Sequence, residues 1–445
     1  MKEKTFNSIC KEAIRINNSY YTYFDCFRQM SQAELKKHSE LPNGFSCINE
    51  ENGVICLIYK DKTQLLGAKF IQKSRESLLS GYEKRRIASL CNELKSFTRV
   101  YFFDDKSYHL DASVNMSDHE YNLAIQHMIY EKSIISSLDP SLEIQNTILR
   151  LMEKLKEWSL KTYEGKKMPF GVIVRPYHLD TSTIDYFTVL DDRYCSVFAD
   201  GMNTVVEIAS DGKLINYSAV NQIKKEKENT NANDNKKITN VLIAYERLTK
   251  WCSEKTYGIV LTLNGHILLI ANQQVVYAYK NGNWVHYCNS ELYSLMFNRI
   301  HIDKDLFYSI YSDLIELSLT KTGGLIAIID ECNTHIMQAI SSQDSAKATP
   351  SIKKTFVGNV TNTNYCVLER SIRRELLSQD GATVVDNKGR ILLCGEIVGV
   401  DGKGSPEGGR TKAAMSLSKL GVAIKISEDG NVSCYFQGKE FYSIN

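Results

Sequence analysis

The stretch Gly408-Gly409-Arg410-Thr411-Lys412 combines residue types that bind a phosphate group. Its two glycines leave backbone N–H groups accessible, its arginine and lysine supply positive charge, and its threonine supplies a hydroxyl donor. The Ala-rich residues that follow predict that the stretch opens a helix. Free N–H groups and the helix macrodipole both favour an anion at that position. We therefore treat this stretch as a candidate phosphate-binding loop.

Two other short stretches could converge with this loop. Asp380-Gly381-Ala382 follows a predicted helix and enters a predicted strand, and its glycine lets the backbone approach a ligand closely. Ser427-Glu428-Asp429 follows the predicted strand 423–426, which brings carboxylates to a strand end. Carboxylates beside a phosphate site favour Mg²⁺ or Mn²⁺, because these ions prefer oxygen ligands and neutralise phosphate charge.

The residues 404–411, GSPEGGRT, have the spacing of a nucleotide-binding P-loop but lack its lysine. Arg410 occupies the position where that motif requires Lys. The planar guanidinium does not simply replace the compact ammonium group that reaches the β- and γ-phosphates. We therefore expect a phosphate site of another kind.

Four segments in this order resemble the diadenylate cyclase domain, which joins two ATP molecules into cyclic di-AMP. They are KTGGLIAII (321–329), LERSIRRELLSQDGATVVDNKGRILLCGEI (368–397), GGRTKAA (408–414) and AIKISEDGNVS (423–433). The family's Asp-Gly-Ala signature is intact. Its Gly-x-Arg-His-Arg-Ala-Ala signature here has Thr for His and Lys for the second Arg. The resemblance covers roughly residues 296–445, a third of the chain.

The resemblance implies a role for each matching residue. Asp380 would bind Mg²⁺ or Mn²⁺ and help to ready the ribose 3′-OH of ATP, and Glu428 would assist with the metal. The implied catalytic residues are Asp380, Arg410, Thr411 and Lys412, and the implied nucleotide-binding residues are Gly381, Ala382, Gly408, Gly409 and Ser427. One chain carries one set of motifs, so an active enzyme of this family would be at least a dimer.

Departures from the family pattern leave alternatives open. Thr411 cannot do the acid–base work of imidazole, Lys412 loses the bidentate fork of arginine, and Gln379 replaces a His that can ligate metal. All nine histidines lie at or before His335, so chemistry at these motifs must rely on metal, positioning and electrostatics. The domain could have altered kinetics or base preference, could bind nucleotide as a sensor without turnover, or could be part of a scaffold.

The remaining sequence predicts a mixed α/β (α+β) protein of several domains. With 445 residues the chain exceeds one ordinary core. We expect an α+β regulatory or sensor-like region (1–220), a charged, Asn-rich linker (221–238) and a helix-plus-hairpin module (239–295). A cyclase-like domain with a central mixed β-sheet flanked by helices would follow (296–445). Asn264-Gly265 and Asn281-Gly282 predict type I′ hairpin turns.

Composition excludes several classes of protein. A net charge of +2 predicts no bulk nucleic-acid binding, and no apolar run approaches the length of a membrane span. The first residues lack the apolar core of a secretory signal, and twelve cysteines without a C-x-x-C pair predict reduced thiols. We therefore expect a cytoplasmic protein. Arg370, Arg373 and Arg374, on the helix before Asp380, could face phosphate, but we interpret them as a solvated face.

Overall fold

The computed structural model confirms the mixed α/β class. It describes residues 3–20, 24–49, 55–72, 81–101, 118–163, 165–177, 184–189, 199–221, 242–253, 255–287, 289–330, 359–396 and 408–444. Nearly all of the predicted linker (221–238) and the residues 397–407 before the candidate phosphate loop lie outside this part. Among the helices that are described, none has the length and apolar character to cross a lipid bilayer.

The described secondary structure comprises the following elements. The helices are α1 (Glu3–Tyr20), α2 (Gln32–Lys36), α3 (Gly81–Tyr101), α4 (Asp118–Leu138), α5 (Leu142–Leu160), α6 (Tyr186–Val189), α7 (Glu246–Trp251), α8 (Asn289–Ile300), α9 (Lys304–Thr320), α10 (Arg370–Ser378) and α11 (Gly409–Leu417). The strands are β1 (Phe24–Gln29), β2 (Gly44–Asn49), β3 (Ile55–Lys60), β4 (Leu65–Gln72), β5 (Thr162–Tyr163), β6 (Lys166–Lys167), β7 (Phe170–Val174), β8 (Thr204–Ile208), β9 (Leu214–Ala219), β10 (Tyr257–Leu261), β11 (Ile267–Ala271), β12 (Gln274–Lys280), β13 (Asn283–His286), β14 (Gly324–Ile329), β15 (Ala382–Asp386), β16 (Ile391–Glu396), β17 (Gly421–Ile426), β18 (Val432–Phe436) and β19 (Lys439–Ile444).

The first part of the chain forms a four-stranded antiparallel sheet in the order β1-β4-β3-β2. Both faces of its strand β3 are covered by other elements, and this explains why the strand is apolar on both faces. Ile55 and Leu57 join the core that includes α1 and α3, whereas Cys56 and Ile58 pack with Leu35 of α2. The alternation of side chains along a strand produces this division.

A seven-stranded sheet, in the order β13-β12-β11-β10-β7-β8-β9, forms the middle of the chain. Its strand β7 pairs with β8 in parallel and with β10 in antiparallel orientation. Strands from before and after residues 222–241 therefore lie in one sheet. The predicted division at this segment into a sensor-like region and a hairpin module stays a prediction.

Of the two type I′ hairpin turns predicted in this sheet, one is confirmed. Asn281 (φ 51°) and Gly282 (φ 87°) both adopt positive φ, as a type I′ turn requires. At Asn264-Gly265 the type I′ prediction is wrong, because only Gly265 has positive φ (77°) and Leu263 and Asn264 occupy the centre of the turn. A further two-residue turn with positive φ, which the sequence analysis did not predict, lies at Asn272-Gln273.

A six-stranded mixed sheet, in the order β16-β15-β14-β17-β18-β19, lies within residues 296–445. Strands β14 and β15 are parallel, and the other neighbours are antiparallel. Leu325, Ala327 and Ala423 face Ala414 and Leu417 of α11. On the opposite face, the alternate residues Ile326, Ile328 and Ile424 join a core with α8, α9 and α10. The predicted sheet flanked by helices is confirmed.

The helical pattern over 291–320 is divided into two helices, α8 and α9. Asp303 ends the connection between them, because its carboxylate accepts hydrogen bonds from the N–H groups of Asp305 (2.9 Å) and Leu306 (3.1 Å). These contacts cap the N-terminus of α9. The helix then ends at Lys321 in the left-handed conformation (φ 55°), two residues before Gly323.

Acid is expected to destabilise the protein through His266. This residue is 1% exposed, its Nε2 has no hydrogen-bond partner among the described residues, and burial lowers its pKa from 6.5 to about 4. The unfolded chain then binds the proton more readily, so stability is lost as pH falls from 6.5 towards 4. The free energy of unfolding from urea titrations should fall by up to roughly 3 kcal/mol from this group. A His266→Leu variant should lose less over this range, and parallel pH profiles of the two proteins would contradict the assignment.

Candidate functional site

The predicted site residues lie at one edge of the six-stranded sheet, the edge formed by the ends of its strands and not by an outer strand. In the register of the sheet, Ile326 of β14 lies beside Thr383 of the parallel β15, and Gly324 lies beside Ile426 of the antiparallel β17. The start of β14, the start of β15 and the end of β17 therefore meet. Asp380-Gly381 precedes β15 and Ser427-Glu428 follows β17 at this edge.

Arg410 extends from the first turn of α11 across this edge. Its guanidinium lies against Gly323, where a Cβ atom would be only 2.1 Å from Nη1 of Arg410. The same Nη1 is 3.6 Å from Oε1 of Glu428, whose side chain is 84% exposed. The structure thus brings together a cation of the candidate phosphate-binding loop and a carboxylate predicted from a different motif.

The two glycines before Arg410 leave space in front of α11. Gly408 is the N-cap, and no side chain caps the helix. A Cβ atom at Gly408 or Gly409 would have no atom of the described residues within 4 Å, and neither residue has positive φ. Neither the backbone conformation nor packing against the described part of the chain therefore requires glycine here. Open space beside the unbonded N–H groups of a helix N-terminus suits an anion.

Thr411 has a partner that the sequence did not reveal. The ammonium group of Lys425, on β17, donates a hydrogen bond to Oγ1 of Thr411 (3.0 Å). Lys425 is half-buried within the otherwise buried strand GVAIKI, and this polar interruption was the available signal. Lys412 is half-buried and forms no side-chain hydrogen bond or ion pair with any described residue. Three cations, Arg410, Lys412 and Lys425, therefore lie on or beside the first turn of α11.

The Asp-Gly-Ala motif connects α10 to β15 by a turn that requires its glycine. Gly381 has φ +110°, a conformation that other residues rarely adopt. Ala382 is buried as the first residue of β15, whereas Asp380 is exposed. Asp380 forms no hydrogen bond or ion pair with any side chain in the described ranges. The adjacent Gln379 has a buried Oε1 that no described residue satisfies.

The residues 427–431 form a tight turn that carries Glu428. The hydroxyl of Ser427 donates to the carboxylate of Asp429, and the side-chain amide of Asn431 donates to Oδ2 of Asp429 (2.8 Å). The hydrogen bond from Ser427, and to a smaller extent the one from the backbone N–H of Asn431, lower the pKa of the Asp429 carboxyl below its usual value. The carboxylate of Asp429 therefore accepts hydrogen bonds within the turn. Glu428 points outward with its carboxylate accessible.

The carboxylates fit a metal ion only in part. No three acidic, His or Cys side chains of the described ranges cluster in a way that could hold a metal. Mg²⁺ keeps several waters and binds proteins through one or two carboxylates together with substrate phosphates. Asp380 and Glu428 lie at the same edge of the sheet as candidates for such a pair, and the unsatisfied Oε1 of Gln379 is a further oxygen of the type that these ions accept. Metal binding here stays a prediction.

Two of the three arginines of α10, Arg370 and Arg373, do not lie on the solvated face that the sequence predicts, whereas the side chain of Arg374 is 36% exposed. Nε of Arg373 donates to Oδ2 of Asp313 (2.7 Å), a carboxylate that is fully buried in α9. Arg370 donates to the carbonyl of Ser312 (2.9 Å) and contacts Glu316 (3.3 Å). Burial raises the pKa of Asp313 despite its arginine partner. These arginines attach α10, and with it the turn at Asp380, to α9.

Substituting Gly323 should affect the site more than the fold. In Gly323→Ala the new Cβ displaces the flexible end of Arg410, so the ATP affinity that the resemblance predicts should fall about 10-fold in calorimetry, with little change in melting temperature. The neighbouring Gly324→Ala is the matched control. Its Cβ would lie 2.7 Å from the carbonyl oxygen of Leu377, a backbone atom, so it should cost about 1–3 kcal/mol of stability. Equal ATP affinity in Gly323→Ala and the wild type would contradict this account of Arg410.

Comparison with known proteins adds little to this geometry. No model of a protein family matches the chain, and no curated protein matches it. Among solved structures, the chain resembles the crystal structure of a double mutant of DacA from Staphylococcus aureus at 17% identity. The match covers 31% of this chain and 85% of that chain, with a TM-score of 0.23. A TM-score this low does not establish a shared fold.

Proposed function

We propose that residues 296–445 form a nucleotidyltransferase domain that condenses two ATP molecules into cyclic di-AMP and releases pyrophosphate. One observation carries the proposal. The guanidinium of Arg410 lies on Gly323 and faces Glu428 across 3.6 Å, so a cationic helix N-terminus and a carboxylate turn share one sheet edge with Asp380. The order of the motifs, which resembles that of diadenylate cyclases, supports the same assignment.

The cations at α11 would bind the phosphates of ATP. The contact between Arg410 and Glu428 is exposed, and exposed ion pairs contribute at most about 1 kcal/mol. A phosphate can therefore replace Glu428 as the partner of Arg410 at little cost. Lys412 and the N–H groups of the first turn would add charge and hydrogen bonds, and Lys425 would orient the hydroxyl of Thr411. Phosphoryl transfer depends mainly on such positioning and charge stabilisation.

The two carboxylates would hold the metal ion. Asp380 and Glu428 have accessible oxygens, and Gln379 lies next to Asp380 in the chain. When bound, Mg²⁺ or Mn²⁺ would neutralise phosphate charge and make the ribose 3′-OH easier to deprotonate. Asp380 would hold that hydroxyl in line with the α-phosphate of the second ATP. With no histidine after His335, the proton would pass to carboxylate or water.

The reaction requires two domains that face each other. In each half-reaction the 3′-oxygen of one ATP forms a bond to the α-phosphorus of the other, and pyrophosphate leaves with the electron pair of the broken bond. A single chain carries one set of motifs, so we propose at least a dimer. The region before residue 296 would regulate the assembled site.

A second candidate is a nucleotide-binding sensor without turnover. Thr411 is already engaged by Lys425, and neither Thr411 nor Gln379 can transfer a proton as a histidine would. A site of this kind could retain the phosphate and metal contacts while the condensation is slow or absent. The same residues leave open a preference for GTP or for a mixed pair of nucleotides.

One experiment separates these functions. Purified protein is incubated with ATP, GTP or both, with Mg²⁺ or Mn²⁺, and cyclic dinucleotides are measured by mass spectrometry beside an Asp380→Asn control. Product that disappears in the control supports the enzyme. Nucleotide binding in calorimetry without product supports the sensor. An absence of both would overturn the nucleotide assignment and favour a scaffold.

A further inference from the structure

The turn that carries Glu428 is held from behind by a lysine of another sheet. Lys280 is the last residue of β12, in the seven-stranded sheet. Its ammonium group donates a hydrogen bond to the carbonyl of Gly430 (2.7 Å). The hydroxyl of Ser318, on α9, donates to the same carbonyl (2.5 Å). Two separate elements therefore converge on one backbone oxygen of the turn 427–431.

The fit at Gly430 is close enough to exclude any side chain. Gly430 has φ +86°, and a Cβ atom there would lie 2.2 Å from the carbonyl oxygen of Ser318 and 2.9 Å from Nζ of Lys280. The turn itself is closed by backbone hydrogen bonds from Gly430 N–H to Ser427 and from Ser427 N–H to Asn431, both 2.9 Å. The turn is therefore closed by its own backbone hydrogen bonds and packs directly on Lys280 and Ser318.

Lys280 is buried at its contact with the carbonyl of Gly430. The residue is 3% exposed, although lysine is rarely buried without a partner. No carboxylate of the described residues lies within ion-pair distance of its ammonium group. The charged and titratable groups that face it are Asp429 of the turn, Lys321 at the end of α9 and His266 beside β11. The short hydrogen bond of its ammonium group goes to the carbonyl of Gly430, so the lysine binds the turn.

We propose that Lys280 is a positioning residue that seats the turn carrying Glu428, so that the seven-stranded sheet sets the geometry of the nucleotide site. This inference rests on the proposed function for its effect on the nucleotide. Lys280 does not touch the reacting atoms. It acts through the backbone of Gly430, two residues after Glu428, and through the distance between Glu428 and Arg410.

Two neighbouring contacts tie the same sheet to the same edge. Asn281, next to Lys280, accepts a hydrogen bond from the ammonium group of Lys321 (3.2 Å), and Asn264 donates to the carbonyl of Leu319 (3.1 Å). Both partners lie at the end of α9, which leads to Gly323 beneath Arg410. The Lys321–Asn281 contact is exposed, so water replaces it at little cost, and the buried hydrogen bond of Lys280 is the contact that holds the turn.

The test compares Lys280→Met with Lys321→Met in the full chain. Methionine keeps the length of the lysine side chain and removes its donors. Lys321 is the matched control, because it is a neighbouring lysine that bonds Asn281 and not the turn. Hydrogen exchange of the Ser427 and Gly430 amides is measured first, and binding of ATP with Mn²⁺ is measured by calorimetry. We expect these amides to exchange about 10- to 100-fold faster in Lys280→Met, with ATP binding weakened about 10-fold. Lys321→Met should resemble the wild type.

The outcomes are distinct. Unchanged exchange in the turn, or faster exchange throughout the six-stranded sheet, would overturn the positioning role. Faster exchange in the turn with intact ATP affinity would overturn the link to the site. If the wild type itself binds no nucleotide, the proposed function fails, whereas faster exchange confined to the turn would still support Lys280 as the residue that seats it. A Ser318→Ala variant should give a smaller change in the same direction.

Discussion

Asp380→Asn is expected to abolish formation of cyclic dinucleotide and to leave the stability of the fold unchanged. The substitution keeps the size of the side chain and removes the charge that would hold the metal and the ribose hydroxyl. Losing a group of this kind lowers a rate by at least about 100-fold. The fold should not respond, because Asp380 is exposed and no described side chain bonds to it. Mass spectrometry of the product and thermal unfolding measure the two effects separately.

Asp386, at the other end of β15, provides the matched control. It is 4% exposed and accepts hydrogen bonds from the backbone N–H groups of Lys388 (3.1 Å) and Arg390 (2.8 Å) and from Nε of Arg390 (3.1 Å). Asp386→Asn should therefore cost about 1–3 kcal/mol of stability and spare the activity of the folded molecules. If Asp380→Asn retained its turnover, Asp380 would have no catalytic role.

Arg86→Met is expected to cause the largest loss of stability, about 3–5 kcal/mol. The side chains of Arg86 and Glu83, both on α3, are fully buried, and Nη2 of Arg86 donates to Oε2 of Glu83 at 2.6 Å. Arg86 also bonds to Asn17 of α1 and lies over the ring of Tyr130, 4.7 Å from its centre. Without Arg86, the carboxylate of Glu83 would be buried without its cation. Denaturant titration measures the loss.

Two comparisons test the reason for this loss. The double variant Glu83→Leu/Arg86→Met removes both charges, so it should recover part of the lost stability. Lys250→Met breaks the exposed pair between Lys250 and Glu246 and should change stability by less than about 1 kcal/mol. Equal stability losses in Arg86→Met and Lys250→Met would show that burial of the pair does not determine its contribution. The hydroxyl of Tyr277, on β12, also donates a hydrogen bond to Glu83 (3.1 Å). The cluster therefore joins α3 to the seven-stranded sheet.

Much of the architecture was predictable from local patterns. The sequence predicts the apolar strands β14, β15 and β17 and the helix after Gly408, and the glycine of Asp-Gly-Ala does occupy a positive-φ turn. The turn at Asn281-Gly282 followed its residue types, whereas Asn272-Gln273 adopted the same geometry without a favourable glycine. Asn272 tolerates positive φ, so the pairing of β11 with β12 imposes an unfavourable conformation only on Gln273.

The sequence by itself determined the elements, their order and the residue types that reach the candidate site. These features depend on spacing within a few residues, where backbone geometry and side-chain alternation are decisive. Only the tertiary structure decided which charges meet: Arg373 with Asp313, 60 residues away, and Lys280 with Gly430, 150 residues away. It also decided that Arg410 lies on Gly323 beside Glu428. Partners that distant are selected by the packing of whole helices and sheets, because burial makes an unpaired charge costly wherever the fold happens to place it.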